Sequence, residues 1–424
     1  MATPDPRWRR TFWINFADLS LYWGGDAFAS LSTVLPLFVS RLSDSTVLVG
    51  LVPALYWIGF IGPQVLAAGY VRKLPRKKPF AIAAFGVQRA SMFALAAVTF
   101  ALGGGQPKAL LVAFLVLYTI GCIGIGAGIP PYQDMIAKVV PVEKRGRLRG
   151  WGVFAASALG VAAGFVARQV IEGQPFPRGF AICFAIAGAL GTVSLLFASA
   201  NREPAGAPLA EAPSTREFLS RLPGILRADT NFRSFTWSRV VFSLALMGVP
   251  FLPIYALSRF ALPDEEVGAL TAALMAGQMV SVLAMGFAAD RYGHKVILQT
   301  GTLALAGAFA LALAARSPTA MLVAFALAGC SNGAQQVSVT YIVLEMAPEG
   351  DRPAYVAMSS TVVAPVVVLA PLLGGWVVGL AGYGTLFSAV VALACGALMV
   401  LTLWVTEPRR RALAGRISGG GVAV

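Results

Sequence analysis

Asp26 is the residue whose chemistry most needs a reason. It stands about thirteen residues into an apolar run that opens near Trp13, roughly 20 Å at 1.5 Å per residue. A carboxyl at that depth in a membrane helix is costly, so each one is a candidate for function. Asn15, Asp18, Tyr22, Asp26 and Thr33 project within about 60° of one another at 100° per residue, one polar stripe on an otherwise apolar helix. Burial and a nearby cation act in opposite directions on a carboxyl. Asp26 is therefore suited to take up and release a proton, or to recognise a cation. Asp18, nearer the end of the run, is expected to be solvated. Arg89, the central cation of the first half of the chain, is expected to pair with Asp26 or to extend its stem to the interface rather than to bind a ligand. Arg168 and Arg239 lie near segment ends and read as anchors. A second polar group, Ser331, Asn332, Gln335, Gln336 and Ser338, suits hydrogen-bonded recognition of a polar or amphipathic organic molecule; bonding between helices is the alternative.

Covalent chemistry finds no footing. There is no G-x-x-x-x-G-K-[ST] loop, and His294 is the single histidine, so neither a Ser-His pair nor a metal cluster is expected around it. Cys122, Cys183, Cys330 and Cys395 all fall in apolar runs, where cysteine behaves as a small hydrophobe. No catalytic residue, metal or cofactor is expected, and the chain is not expected to be an enzyme. ATP hydrolysis is excluded as its direct energy source, which leaves a proton or other ion gradient.

These residues must be positioned by membrane helices. The 424 residues are 57% hydrophobic and 12% charged, with a mean hydropathy of +0.74, more apolar surface than a water-soluble domain hides. Strand-like alternation is absent. A span takes about 20 apolar residues, and twelve such segments are expected: roughly 13 to 39, 47 to 71, 79 to 102, 109 to 130, 150 to 171, 180 to 199, 234 to 258, 266 to 289, 296 to 315, 319 to 342, 354 to 380 and 385 to 405. The net charge of +14 is topological. With the N-terminus inside, 25 of the 33 Lys and Arg fall in inside loops and tails and five in outside loops, a strong positive-inside bias. Both termini are expected in the cytoplasm, nucleic acid is not an expected partner, and the early arginines before segment one mark a retained anchor rather than a cleaved signal.

The second half of the chain repeats the first. VLPLFVSRL at 34 to 42 aligns with FLPIYALSRF at 251 to 260, matching Pro36 to Pro253, and VGLVPAL at 49 to 55 aligns with VGALTAAL at 267 to 274. Two six-helix units, 1–199 and 234–424, are therefore expected to run parallel, related by an axis along the membrane normal. Between them, 200–233 reads as a cytoplasmic linker, with Phe218, Leu219, Leu222, Ile225 and Leu226 spaced for an amphipathic helix on the membrane surface. Pro36, Pro53, Pro63, Pro250, Pro253, Pro365 and Pro371 are placed to bend helices one, two, seven and eleven.

One loop carries the sharpest motif. Gly286 to Lys295, GFAADRYGHK, fits G-x-x-x-D-R-x-G-x-K, and Pro141 to Gly150 fits P-x-E-x-R-G-R-x-x-G. Gly286 is expected to allow close helix packing, Asp290 to meet a helix N-terminus, and Arg291, Gly293 and Lys295 to complete an inside loop. With twelve segments as six plus six and a long central loop, the chain resembles the major facilitator superfamily of transporters. The resemblance implies an all-α membrane fold of two six-helix bundles whose helices one, four, seven and ten line a central cavity. Asn332, Gln335 and Gln336 would then face Asp26 across it. RKLPRKK at 72 to 78 lacks the acid of the second-half loop, and segment four has no arginine. Segment five carries Gly152, Ala156, Gly160 and Gly164 as a close-packing face without the Gly-Pro of the antiporter signature. The function expected is alternating-access transport of a small organic molecule by a monomer in the cell (inner) membrane, as proton-linked efflux of amphipathic compounds. Uptake of a neutral metabolite such as a sugar or nucleoside is the first alternative, and a sensor or lipid-handling protein on the same fold the second.

Overall fold

The computed structural model describes residues 8–71, 74–103, 105–205, 224–348 and 351–408. Helix one is broken: α1a (Trp8–Gly25) runs into a 3-10 turn (Asp26–Ala29), and α1b (Val34–Leu42) follows. Then come α2 (Thr46–Val71), α3 (Lys78–Leu102), α4 (Pro107–Val139), α5 (Val142–Glu172) and α6 (Arg178–Ser199). The second half repeats the pattern. Helix α7a (Thr230–Ala245) passes through a 3-10 turn (Leu246–Phe251) into α7b (Leu252–Arg259), followed by α8 (Glu266–Tyr292), α9 (His294–Ala314) and α10 (Pro318–Met346). The last helical stretch, Arg352–Leu403, is two antiparallel helices, α11 and α12, because Gly382 turns the chain at φ +78°, a backbone that glycine adopts without a Cβ penalty.

The breaks in helices one and seven are related by the sequence repeat. Pro36 sits in the first turn of α1b and Pro253 in the first turn of α7b, where a missing N–H costs nothing. Each proline thus restarts a helix. The break overturns the single polar stripe: a constant 100° per residue holds from Asn15 to Tyr22 but not through Asp26 to Thr33.

Nine helices among the described residues are long and apolar enough to cross a membrane, with α11 and α12 counted as one. Helices one and ten are not among them. The first is interrupted, and the polar run from Ser331 dilutes the second.

Call the end holding the loops after α1b, α5 and α7b the far end, and the other the termini end. The halves are tied together toward the far end. Thr33 and Thr271 share a 2.6 Å hydrogen bond, and the Thr46 hydroxyl donates to the Gly375 carbonyl at 2.6 Å. Arg41 pairs with Asp264 and Arg168 with Glu266. Arg168 is therefore an interface ion pair rather than an anchor. Arg239 likewise turns inward, donating to the Ser359 carbonyl at 3.1 Å.

Small residues let α5 and α8 touch: a Cβ on Gly164 would lie 2.6 Å from the Gly268 carbonyl oxygen. Gly152 instead packs on Leu19 of α1a, so the expected ladder on α5 serves two neighbours. The largest buried apolar cluster draws on both halves, including Leu35, Phe38, Phe251 and Leu257. The clusters at the termini end, around Phe232 and Ile342 and around Ala289 and Ile297, draw on the second half.

Most of the expected linker helix, with Phe218, Leu219 and Leu222, lies outside the described residues, as do Arg72 and Lys73 of the first-half loop and the basic tail after 408. Ile225 and Leu226 pack on the cluster around Phe232.

Candidate functional site

The polar residues of α1a face the interior of the first six-helix bundle. Asn15 and Asn201 exchange amide hydrogen bonds at 2.8 and 3.0 Å. Asp18 is buried, not solvated as expected, and accepts from the hydroxyls of Tyr132 at 2.5 Å and Ser194 at 2.6 Å. These bonds join α1a to α4 and α6. A buried carboxylate needs such donors in place of water.

Arg89 on α3 lies above that cluster. It is buried, donates to the carbonyls of Gly191 at 3.1 Å and Phe85 at 3.3 Å, and stacks its guanidinium over the Tyr22 ring at 4.7 Å. Of the two expectations for it, the salt bridge to Asp26 is not formed, and the buried stem does not reach an interface. Carbonyls and an aromatic face hold the cation instead, a use to which the flat guanidinium is suited.

Asp26 occupies the break. It makes no hydrogen bond and no ion pair with another described residue, and it lines a cavity of about 30 Å³ with Tyr56 of α2, Gln88 of α3, and Tyr118 and Cys122 of α4. This is space for a water, not for an organic molecule. The break explains the arrangement: Gly25 keeps helical angles and lets α6 approach, since a Cβ there would fall 2.8 Å from the Leu190 Cβ, and the 3-10 turn that follows places Asp26 beside α2 and α4.

Asn332, Gln335 and Gln336 lie in mid-helix on α10. None hydrogen-bonds to another described residue, and all three retain exposure. They do not line the cavity at Asp26. The two groups of candidates therefore occupy different places, one inside the first bundle and one on α10.

The loop at 286 to 295 differs from its expectation at Gly286. A Cβ on Gly286 would meet no atom within 4 Å, so close packing does not require this glycine. Asp290 lies exposed in the last turn of α8, and the carboxylate over the N-terminus of α9 is that of Glu407, which accepts from the Lys295 N–H at 3.0 Å. Lys295 also reaches the Thr402 carbonyl at 3.1 Å, and Arg291 lies over the ring of Tyr292. Gly293 is required twice. Its φ is +88°, and a Cβ there would lie 2.6 Å from the Glu407 carboxyl carbon.

Glu407 has a counterpart that sequence reasoning missed. Glu203, past the end of α6, is buried and accepts from the N–H groups of Lys77 at 2.8 Å and Lys78 at 2.7 Å and from Lys138 Nζ at 2.8 Å. Each half thus bends back the residues after its sixth helix to place a carboxylate on the N-terminus of its third, where the helix dipole favours an anion. A signal existed: Glu203-Pro204 and Glu407-Pro408 repeat at corresponding places.

The family model described as Major Facilitator Superfamily matches residues 5–165 and 240–422. No curated protein matches the sequence. Among solved structures, a D-xylose–proton symporter matches with a TM-score of 0.73 at 15% identity, over 94% of this chain and 98% of its own. The nucleoside transporter NupG matches with a TM-score of 0.65 at 15% identity over the same shares. The human organic anion transporter MFSD10 matches with a TM-score of 0.64 at 16% identity, over 94% of this chain and all of its own.

Proposed function

The chain belongs to the Major Facilitator Superfamily, and from that premise we propose that it moves a small organic molecule across the cell membrane by alternating access, coupled to a proton carried by Asp26. The observation that supports this is the state of Asp26 itself. A carboxyl in a helix break, next to a water-sized cavity and with no hydrogen-bonding partner among the described residues, has nothing structural to hold. Asp18, by contrast, has two donors and serves as a joint.

Substrate recognition falls to Asn332, Gln335 and Gln336. Amides in membrane helices otherwise bond to neighbouring helices, and these three are not engaged by other described residues. Their neutrality favours an uncharged or amphipathic molecule. With the termini in the cytoplasm, the sealed far end is the outer one, and the conformation is one that would exchange substrate with the cytoplasm. Proton-linked efflux is our first reading, with the protein acting as a monomer. Proton-linked uptake of a sugar or nucleoside is the second, favoured by the same neutral amides and by the fold shared with a xylose symporter and a nucleoside transporter.

The test is a thermal-shift screen of the purified protein against drugs, sugars and nucleosides at acidic and alkaline pH, with Asp26→Asn alongside. A ligand at 100 times its Kd should stabilise by about 2.7 kcal/mol. A hit whose pH dependence disappears in Asp26→Asn supports the reading and names the substrate class. A hit with the same pH dependence in both proteins contradicts it.

A further inference from the structure

The first turns of α1a and α5 lie side by side at the termini end, and neither the proton site nor the amides of α10 uses them. The two helices touch where a Cβ on Gly152 would meet the Leu19 Cβ at 3.3 Å and one on Gly24 would fall 2.6 Å from the Leu159 Cβ. On α5, Lys144, Arg147, Trp151 and Phe154 recur at three- and four-residue spacing and share one face. On α1a, Trp8, Arg9, Phe12, Trp13 and Phe16 fall within about 140° at 100° per residue. The two faces meet at the ring of Trp8, whose centre lies 5.5 Å from Lys144 Nζ and 5.9 Å from Arg9 Cζ.

This seam has a charged end and an aromatic end. The cations stand in the first turns. Roughly 7–10 Å farther along, at 1.5 Å per residue, come Trp13, 63% exposed, and Trp151, 53% exposed. Phe16 meets Trp13 edge to face at 5.4 Å, and Phe154 meets Trp151 in the same way at 6.1 Å. The side chains of Arg9, Lys144 and Arg147 make no hydrogen bond or ion pair with another described residue, and neither does Glu143, the acid beside them. A ring attracts a cation but leaves the three donors of a lysine unmet. A Cβ on Gly146 would face the Tyr341 hydroxyl of α10 at 3.9 Å, so Lys144, about 160° around the helix, points away from the second half.

The fold does not need this arrangement, because the repeated half lacks it. With Pro141 and Arg145 matched to Pro348 and Arg352, the places of Lys144, Arg147 and Trp151 are taken by Asp351, Ala354 and the buried Met358. Helix α11 forms all the same.

We propose that the seam of α1a and α5 binds one anionic phospholipid of the inner leaflet, its phosphate held by Arg9, Lys144 and Arg147 and its acyl chains lying along Trp13, Phe16 and Trp151. The inference rests on the reading of the termini end as cytoplasmic and is independent of Asp26. Basic sites between helices on the cytoplasmic side suit such headgroups, and tryptophan suits the depth where headgroup gives way to chain. A zwitterionic lipid carries a cation of its own to the site. An acidic protein segment would meet the cations but leave the tryptophans uncovered.

Native mass spectrometry of the full-length protein in detergent, titrated with phosphatidylglycerol or phosphatidylcholine, tests this. Wild type should bind one phosphatidylglycerol in preference to phosphatidylcholine. Lys144→Gln with Arg147→Gln should weaken that binding by about fivefold for each cation removed. Arg227→Gln with Arg233→Gln, which removes two exposed cations from the same end of the second half, should leave it unchanged. Equal affinity of wild type for the two lipids overturns the site. So does an equal loss in both double variants, which would mean diffuse attraction. Inorganic phosphate or a polyglutamate peptide that displaces the lipid at equal concentration would show that the acyl chains contribute nothing, and also overturns it. Should the Lys144 and Arg147 double variant fail to fold, a photoactivatable phosphatidylglycerol on wild type in nanodiscs decides: crosslinks within 8–16 and 144–154 support the site, and crosslinks spread over other helices overturn it.

Discussion

Arg168 on α5 is ion-paired with Glu266 on α8, one turn beyond the place where Gly164 and Gly268 bring the two helices backbone to backbone. Arg41 and Asp264 make a second bridge between the halves at the same end. Alternating access requires both to break when the far end opens. Their side chains are 22–46% exposed, so solvent screening limits each to about 0–1 kcal/mol. The double variant Arg168→Gln, Asp264→Asn should raise the far-end-open population several-fold. Spin labels in the loops at 43–45 and 260–265 would report it as growth of a longer distance, and an unchanged distribution would show that the bridges do not hold the closed state.

Gly293 and Gly86 make a matched pair for testing the loop at 286 to 295. A methyl on Gly293 meets the Glu407 carboxyl and a positive φ, whereas one on Gly86 meets nothing within 4 Å. Gly293→Ala should cost about 1–3 kcal/mol of stability. Gly86→Ala, within α3, should be neutral or gain up to about 1 kcal/mol. Thermal melts in detergent separate the two, and equal midpoints would mean that Glu407 moves aside at little cost.

Glu203 gives the first half a pH-dependent fastening. Burial opposes ionisation of this side chain, but the hydrogen bonds from Lys138 and from the N–H groups of Lys77 and Lys78 outweigh it and hold the carboxyl below the usual glutamate range. A depressed value in the folded protein contributes stability above the unfolded value, about 4.3, and that stability is lost as pH falls through the folded value. Glu203→Gln should therefore melt below wild type at neutral pH, with the gap closing in strong acid. A gap that is constant with pH would mean that shape, not charge, does the fastening.

Asn332→Ala and Gln335→Ala each remove one amide from α10. If each amide donates or accepts one hydrogen bond to substrate, the loss is about 1 kcal/mol, several-fold in KM. Radiolabelled transport into vesicles measures it. A normal KM in both variants would move the substrate site elsewhere.

Much of the architecture was legible because periodicity and repetition are strong signals. The match of Pro36 to Pro253 located the two places where helices one and seven restart, and the loop at 286 to 295 with the run at 141 to 150 pointed to the superfamily. The site was less legible. Asp26 stood out because depth is readable from residue counting, but its surroundings were not, since the 3-10 turn at Asp26–Ala29 breaks the angular register that grouped it with Asn15, Asp18, Tyr22 and Thr33. Arg89 was expected to seek a carboxylate, and no one-dimensional pattern shows that the Gly191 carbonyl and the Tyr22 ring are nearer. Glu203 and Glu407 went unread because their partners are backbone N–H groups, which every residue has; only the repeated Glu-Pro distinguished them.

The central claim is that Asp26 carries the coupling proton, and substrate-driven proton movement in reconstituted liposomes tests it most directly. With a substrate in hand, wild type should shift the pH of a weakly buffered lumen when substrate is added, and a pH gradient should drive accumulation. Asp26→Asn should lose both while retaining substrate exchange at equal pH on the two sides. Proton movement and gradient-driven accumulation undiminished in Asp26→Asn would contradict the claim.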